Sequence, residues 1–342
     1  MPPNRRPDDP QSSDEPHSEL KCRKRFWRPR RILIAAVIGL LIGPYIFSRA
    51  MSPLRAVRHY SVDVSANKPT LRPDPRTIRV CCLNIAHGRG LAQGNTRGGS
   101  RAERQERLRN IAELLDRIDA DIVVLNEVDF ESTWSYDVNQ AKFLAETAGY
   151  KFVTEQRNLD FRVATATWRF GNAILSRHPI TASELVDLRA LKTWEAVLAG
   201  KKKSLLCQID IQGQTVHVGA IHLSHRSESL RVSSARTLLK HTNRTAKPII
   251  LAGDFNSTPP EFPGSIRSPV GENAMDVFDK SARFHRLPLT PPTDGEFTFR
   301  SDAPIRTIDW ILASTDCSFR EYETIDVKLS DHRPVVAVIQ LP

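Results

Sequence analysis

Apolar residues along the chain form several short runs that end in polar residues, and one longer run near the N-terminus. Short runs of β-branched and apolar residues are typical of buried strands. They predict strands at residues 78–85, 122–125, 173–175, 205–211, 216–221, 249–251, 307–312 and 335–339. Between the first two, Ser100 and Glu103 have capping-box spacing, and apolar residues recur at helical intervals at Leu108, Ile111, Leu115 and Ile118. The chain thus opens as strand, helix and strand, a pattern of α/β proteins.

The longer run, residues 32–47, contains no charged residue. Its 16 residues are slightly fewer than the ~20 of a comfortable membrane span. Seven Lys and Arg residues at 21–31, against three after the run, indicate a cytoplasmic N-terminus by the positive-inside rule. We therefore predict a transmembrane signal-anchor at 32–48 and an extracytoplasmic C-terminal part. Small residues at 48 and 50 are typical of a signal-peptidase site, so secretion after signal cleavage is the alternative.

Composition predicts the rest of the domain organisation. Residues 1–31 combine Pro, Ser and charge without an apolar pattern, which indicates a disordered, basic cytoplasmic head. Residues 49–75 contain four prolines and little pattern, which predicts a linker. Residues 76–342 have no low-complexity break, so we expect one large catalytic domain there.

The net charge of +10 does not by itself indicate nucleic-acid binding. Residues 1–50 hold 10 Lys and Arg against 5 acidic residues, and the other 292 residues hold 39 against 34. The predicted domain is therefore only mildly basic, as expected for an ordinary solvated surface.

Five cysteines without a CxxC pair exclude a disulfide-stapled miniprotein and give no zinc-finger spacing. Cys81 and Cys82 are adjacent in a predicted strand, so they point to opposite faces and are poor partners for each other. The sequence leaves open whether disulfides form among Cys81, Cys82, Cys207 and Cys317.

Polar side chains capable of chemistry stand where several predicted strands end. They are Asn84, Glu127, His222, Asp254, Asn256, Asp309, Asp331 and His332. Oxygen and imidazole groups of this kind suit a hard divalent cation together with an acid/base pair. Taken singly, each has an ordinary explanation, such as a turn residue, a core histidine or an Asx-turn. Glu127 is harder to explain in this way, because a carboxylate at the mouth of an apolar strand needs a partner.

The order of the motifs around these residues resembles the endonuclease/exonuclease/phosphatase superfamily. The motifs are CLNIAHG, VVLNEVD, GNAILSRHP, IHLSH, GDFNSTP, RTIDWILAS and SDHRPV, and they extend from about residue 78 to residue 339. The resemblance implies a four-layered α/β sandwich of two mixed β-sheets flanked by helices, here preceded by one N-terminal transmembrane helix. Ala86 stands where the abasic-site endonucleases have a second acidic residue, and GNAILSR is closer to the sphingomyelinase-like and phosphatase-like branches.

The resemblance also implies a role for each matched residue in metal-assisted hydrolysis of a phosphate ester. The metal would be Mg²⁺, with Mn²⁺ as a substitute, and its ligands would be Asn84, Glu127 and Asp331. The catalytic groups would be Asp254 and Asn256, which position and activate the attacking water, and three donors or orienting groups, His222, His332 and Asp309. Asn172 would bind the substrate phosphate.

We therefore expect a divalent-metal-dependent hydrolase that cleaves phosphodiesters or phosphomonoesters by in-line attack of an activated water. It would be anchored in a membrane through its N-terminal helix and face outward, with no protein partner. The substrate would be a phospholipid head group, a small phosphodiester or nucleic acid. A lipid substrate would favour an exposed apolar segment near the cleft, for which residues 190–200 are the candidate.

Two rival functions remain. A secreted or anchored nuclease would need a basic stripe beside the cleft, for which the loop after the first strand offers Arg89, Arg97, Arg101, Arg104 and Arg107. A non-catalytic binding module on the same scaffold is the other, because site residues rather than the fold decide function.

Overall fold

The computed structural model describes residues 27–64, 74, 76–189, 200–293 and 296–342. The helices are α1 (Trp27–Met51), α2 (Arg101–Ile118), α3 (Gln140–Ala148), α4 (Glu228–Thr242) and α5 (Ala274–Asp279). The strands are β1 (Val57–Ser61), β2 (Thr77–Asn84), β3 (Ile122–Asp129), β4 (Phe152–Val163), β5 (Ala166–Ser176), β6 (Ile180–Asp187), β7 (Lys203–Ile211), β8 (Gln214–His222), β9 (Ile249–Asp254), β10 (Phe284–Arg286), β11 (Asp309–Ser314), β12 (Ser318–Thr324) and β13 (Val335–Gln340). By their internal contacts the residues divide into two units, one ending at Ile46 and one running from Phe47 to Pro342.

The strands form two mixed sheets. One has seven strands in the order β1-β4-β5-β3-β2-β13-β12, and the other has six in the order β10-β11-β9-β8-β7-β6. Each sheet contains one parallel pair, β2 with β3 and β8 with β9. A helix connects the strands of each parallel pair, α2 in the first sheet and α4 in the second, as parallel pairing requires a long crossover.

Three apolar clusters hold four layers together. Between the sheets, residues such as Val80 and Ile122 of the first sheet meet Ile209, Ile250 and Ile311 of the second. On the outer face of the first sheet, α2 and α3 supply a second cluster, and on the outer face of the second sheet α4 and α5 supply a third. The predicted four-layered α/β sandwich is confirmed.

The helix predicted after the first strand is α2. The Ser100 hydroxyl accepts from the Glu103 backbone N–H at 3.3 Å, and the Glu103 carboxylate accepts from the Ser100 N–H at 2.7 Å. This capping box is the one that the sequence predicts. Leu108, Ile111 and Leu115 are buried against the first sheet, so the apolar face of the helix packs as its spacing indicates.

The helix α1 contains the predicted membrane segment. Its 25 residues extend about 37 Å at 1.5 Å per residue, against ~30 Å of bilayer hydrocarbon. Within Arg30–Arg55, the most apolar stretch of 18 residues has a mean hydropathy of 2.0, and only 6% of that stretch is buried. The helix is therefore a candidate transmembrane span by length and composition, and its retention as an anchor stays a prediction.

The linker predicted at residues 49–75 is partly built into the domain. Residues 52–55 form a 3-10 turn, and β1 pairs antiparallel with β4 along the edge of the first sheet. Pro53 lies at the start of that turn, where its fixed φ is favourable, so this proline does not mark a flexible linker. The ordered domain thus starts before residue 76. Residues 65–73 and 75, the head up to residue 26, and residues 190–199 of the predicted apolar segment lie outside the described residues.

The cysteines Cys81, Cys82, Cys207 and Cys317 carry free, buried thiols. Cys81 faces the helices outside the first sheet, whereas Cys82 faces the core between the sheets. Neighbouring residues of a strand alternate between its faces, so the two adjacent thiols serve as small core residues in different layers.

Candidate active site

Polar residues gather where strands of both sheets end. In the parallel pair of the first sheet Asn84 lies opposite Asn126, and in that of the second sheet His222 lies opposite Asp254. Asp309, the first residue of the antiparallel β11, is also paired with Asp254. The carboxyl ends of parallel strands meet at one edge of a sheet, so the fold brings together residues 170 positions apart, such as Asn84 and Asp254.

The carboxylate of Asp254 lies at the centre of this group. Its Oδ2 accepts a hydrogen bond from Asn84 Nδ2 at 3.1 Å. The same oxygen is 3.6 Å from His222 Nε2 and 3.9 Å from His332 Nε2. Burial raises the pKa of Asp254, against the opposing charge of His332. A carboxyl group with a raised pKa is suited to accept a proton near neutral pH.

His332 is oriented by Asp309. Its Nδ1 lies 2.8 Å from Asp309 Oδ2, and both residues are buried. Burial alone would lower the pKa of His332, but the charge and hydrogen bond of Asp309 raise it to about 10. The imidazole is therefore held as a cation with Nε2 directed toward Asp254. By contrast, burial and the charge of Lys202 lower the pKa of His222, so the two histidines favour different protonation states.

Glu127 lies beside this group with a positive φ of 50°. Its oxygens are 3.6 Å from His87 Nε2 and 3.9 Å from nitrogens of Arg89 and His222, which is longer than a hydrogen bond. Burial would raise the pKa of Glu127, but the three histidines nearby and Arg89 lower it to about 2. Glu127 thus presents an ionised carboxylate that is one-quarter exposed and can accept a cation.

Asp331 is joined to Glu127 through Arg89. The Arg89 guanidinium lies 3.1 Å from Asp331 Oδ2 and 3.9 Å from Glu127 Oε2. One oxygen of Asp331 is therefore engaged by an arginine. A metal-ligand role for Asp331 stays a prediction.

Asn172 is completely buried and lies behind Asn126. Asn126 donates to Asn172 Oδ1 at 2.9 Å and accepts from the Asp254 backbone N–H at 2.8 Å. Asn172 in turn donates to Gln156 Oε1 at 2.7 Å. In this arrangement Asn172 supports the backbone of Asp254 through Asn126, and its contact with a substrate phosphate stays a prediction.

The side chain of Asn256 points away from Asp254, whereas its backbone N–H contacts that carboxylate. Its φ is +52°, its backbone N–H donates to Asp254 Oδ1 at 2.8 Å, and its side chain donates to the Leu223 carbonyl at 3.4 Å. The first bond is the Asx-turn that the sequence also allows. The turn fixes one oxygen of Asp254 and leaves the other facing Asn84 and the histidines.

Comparison with protein families identifies the chain. The model of the Endonuclease/Exonuclease/phosphatase family matches residues 83–332, a range that contains each of the predicted site residues. The chain belongs to this family. A search of curated proteins found no significant match.

Solved structures share the fold of this Endonuclease/Exonuclease/phosphatase family member. A family protein from Bacteroides vulgatus has a TM-score of 0.60 at 18% identity, covering 78% of this chain and 99% of its own. A mannosyl-6-phosphatase from Bacteroides thetaiotaomicron has a TM-score of 0.56 at 18% identity, covering 77% and 99%. The human Nocturnin catalytic domain with a bound sulfate anion has a TM-score of 0.55 at 18% identity, covering 85% and 98%. At such identities the likeness establishes the fold.

The donors present fit the divalent cation on which members of the Endonuclease/Exonuclease/phosphatase family typically depend. Asp254, Asp309 and His332 have ligand atoms within 4.8 Å of one another. However, the hydrogen bond of His332 to Asp309 and its raised pKa make this trio an acid/base group. Glu127 and the adjacent Asn84 suit a hard cation better, because the Glu127 carboxylate is ionised. The Asn84 amide oxygen accepts from the Ala86 N–H at 3.0 Å and keeps a second lone pair.

The sequence did not reveal two residues beside this family site. His87 is buried between Glu127 and Asp129, and its Nδ1 lies 2.8 Å from Asp129 Oδ1. Its only signal is its position three residues after Asn84. Lys202 donates to the Leu223 carbonyl at 2.7 Å, and burial lowers its pKa to about 8. Lys202 stands in a run of three lysines, which looks like an ordinary solvated segment.

Two arginines of the predicted basic stripe are turned toward their own loop. Arg104 is buried and donates to the carbonyls of His87 and Asn95. Arg107 donates to the carbonyls of Gly88 and Gly98. Arg101 donates to the Tyr136 carbonyl, and Arg89 pairs with Asp331. Arg104 and Arg107 therefore hold the loop together, whereas Arg97 and Arg101 are exposed to solvent.

Proposed function

We propose that this chain is a divalent-metal-dependent phosphoesterase, anchored in a membrane and facing outward. The proposal rests on one observation, the convergence of Asn84, His222 and His332 on a single oxygen of buried Asp254, with ionised Glu127 beside them. A base, two imidazoles and an open carboxylate within a few ångströms suit phosphoryl transfer to water.

Asp254 orients the attacking water and accepts its proton through Oδ2. The Asn126 amide oxygen accepts from the Asp254 backbone N–H, and the Asn256 backbone N–H donates to Asp254 Oδ1. These two bonds position the base before the substrate arrives. His332, protonated and held by Asp309, donates to the phosphate oxygens as negative charge develops on them. His222, on the other side of Asp254, serves as a second donor.

Glu127 and Asn84 would hold the cation, with Asp331 as a further ligand or water contact. When bound, a divalent cation neutralises the phosphate oxygens and stabilises the charge of the transition state. Arg89 links Glu127 to Asp331, and this ion pair keeps both carboxylates oriented toward the site.

The substrate that the surroundings favour is a phosphate ester presented at a membrane surface. Ser48, at the end of the predicted membrane segment, accepts from the Arg162 backbone N–H at 2.9 Å. Arg162 belongs to the hairpin of β4 and β5, whose Trp168 is 43% exposed and stacks on Phe161 and Trp134. Trp134 in turn lies 6.1 Å from the His87 ring. A row of aromatic rings beside arginine suits a lipid interface and leads toward the site.

The first test measures hydrolysis by the full chain in detergent micelles after metal removal. The substrates are bis-p-nitrophenyl phosphate, p-nitrophenyl phosphate, sphingomyelin and plasmid DNA, each with and without Mg²⁺. We expect metal-dependent hydrolysis that His332→Ala and Asp254→Ala reduce by about 10²-fold or more. His241→Ala, a histidine in a surface ion pair with Glu184, is the matched control and should keep wild-type turnover. Near-wild-type hydrolysis by His332→Ala would overturn the assignment.

The membrane preference has its own test. Trp168→Ser should lower hydrolysis of lipid in mixed vesicles while leaving hydrolysis of the soluble diester unchanged. Leu289→Ser, which removes another exposed apolar side chain, is the control. Equal loss on both substrates would mean that Trp168 supports the fold of the site and does not contact lipid.

A further inference from the structure

His87 stands next to Glu127 in an arrangement typical of a metal-binding histidine. Its Nε2 lies 3.6 Å from Glu127 Oε2, and its Nδ1 lies 2.8 Å from Asp129 Oδ1. We propose that His87 is a nitrogen ligand of the cation that Glu127 holds, so that the site prefers a transition-metal ion such as Mn²⁺ to Mg²⁺. This inference rests on the metal dependence proposed above.

The tautomer of His87 follows from Asp129. The carboxylate of Asp129 accepts from the Trp134 indole N–H at 2.7 Å through one oxygen, so its other oxygen is directed at His87 Nδ1. With a hydrogen on Nδ1, the ring presents Nε2 toward Glu127, where a bound ion would take the place of a proton. Metal-binding histidines almost always donate their second nitrogen to a carboxylate or carbonyl in this way.

The separation of His87 Nε2 and Glu127 Oε2 fits two ligands of one ion. With bonds of about 2.1 Å, two neighbouring donor atoms of one ion lie roughly 3.0 Å apart at an octahedral angle and roughly 3.5 Å apart at a tetrahedral angle. The observed 3.6 Å is therefore close to these separations, and an octahedral ion would draw the two side chains together by about half an ångström. The distance between these two atoms is too long for a direct hydrogen bond. An ion bound by both would therefore not have to break an existing bond between them.

The loop that carries His87 is fixed on several sides. Ala86 and His87 both have positive φ, 49° and 53°, which aims the imidazole back at the end of β3. The His87 carbonyl accepts from Gln140 Nε2 at 2.9 Å and from Arg104 Nη1 at 3.1 Å. The residue is 94% buried, and its ring packs edge-on against Trp134 and Phe170. A histidine held this firmly is preorganised for one geometry.

A nitrogen donor changes which metal the site favours. Mg²⁺ takes oxygen ligands and keeps much of its water, whereas imidazole suits later divalent ions. An alternative role for His87 is a simple ionic partner of Glu127. That role predicts no nitrogen in the coordination sphere of a bound ion, so spectroscopy separates the two.

The experiment uses the full chain in detergent micelles, stripped of metal and titrated with MnCl₂. Electron spin-echo envelope modulation of bound Mn²⁺ detects a directly coordinated imidazole nitrogen. We expect this coupling in the wild type, its loss in His87→Asn, and its retention in His222→Asn, since His222 Nε2 is the other imidazole nitrogen near Glu127. His87→Asn should weaken Mn²⁺ binding at least ~10-fold, and Asp129→Asn should weaken it while keeping the coupling.

Wild-type Mn²⁺ that binds without nitrogen coupling would overturn the inference and leave the proposed phosphoesterase intact. This measurement needs no variant, so a folding defect in His87→Asn cannot obscure it. Coupling that persists in His87→Asn and disappears in His222→Asn would assign the nitrogen to His222 and also overturn the inference. If Mn²⁺ and Mg²⁺ both fail to bind the wild type, the proposed metal-dependent function fails along with it.

Discussion

Gly253, the residue before Asp254, offers a sharp test of how the backbone builds the site. Its φ is +132°, a conformation that side-chain-bearing residues rarely adopt. A Cβ there would lie 2.2 Å from the Ile221 carbonyl oxygen and 2.6 Å from Asn126 Oδ1. The backbone strain of Gly253→Ala costs roughly 1–3 kcal/mol, and the overlap adds roughly 1–3 kcal/mol. We therefore expect a loss of about 2–6 kcal/mol in the free energy of unfolding.

Gly213→Ala is the matched control for this change. Gly213 also has a positive φ, +91°, but a Cβ there would meet nothing within 4 Å. Only backbone strain remains, so its cost should be about 1–2 kcal/mol. Urea unfolding followed by circular dichroism measures both free energies, and hydrolysis of the soluble diester measures the site. Gly253→Ala should also lose turnover by about 10²-fold, because the overlap displaces Asp254 and Asn126. Equal unfolding free energies for the two variants would refute the steric reasoning.

Three further changes test other parts of the structure. Asn126→Ala removes the acceptor of the Asp254 N–H, so we expect a loss of about 1–3 kcal/mol in urea unfolding and reduced turnover. Asp309→Asn removes the charge that orients His332, and kcat for the soluble diester should fall by roughly 10²-fold or more with little change in KM. Leu115 is buried on the face of α2 that packs on the first sheet. Leu115→Ala should lower the free energy of unfolding by about 2–5 kcal/mol while the kcat of the folded enzyme is unchanged.

Two physical causes explain the strands that the sequence did not predict. β12 and β6 lie at sheet edges and are mostly exposed, so their residues follow no apolar pattern. β4 lies inside the first sheet, but it buries polar residues. Arg157 lies between Glu155 and Asp160 at 2.9 and 2.7 Å, and these paired charges look in the sequence like a surface strand. A hydrophobic pattern detects buried apolar faces, and it fails where burial is achieved through ion pairs.

The sequence by itself determined the central strands, the capped helix α2, the four-layered fold and the residues at the strand ends. These features can be predicted from local patterns, because the spacing of apolar residues, the capping pair and each motif involve only a few neighbouring positions. Only the tertiary structure decided how those residues meet. The contact of Asn84 with Asp254, the burial of Asn172, the pairing of Arg89 with Asp331 and the place of His87 beside Glu127 all depend on strand register and loop conformation. Such contacts join residues that are distant along the chain, so no local pattern can encode them.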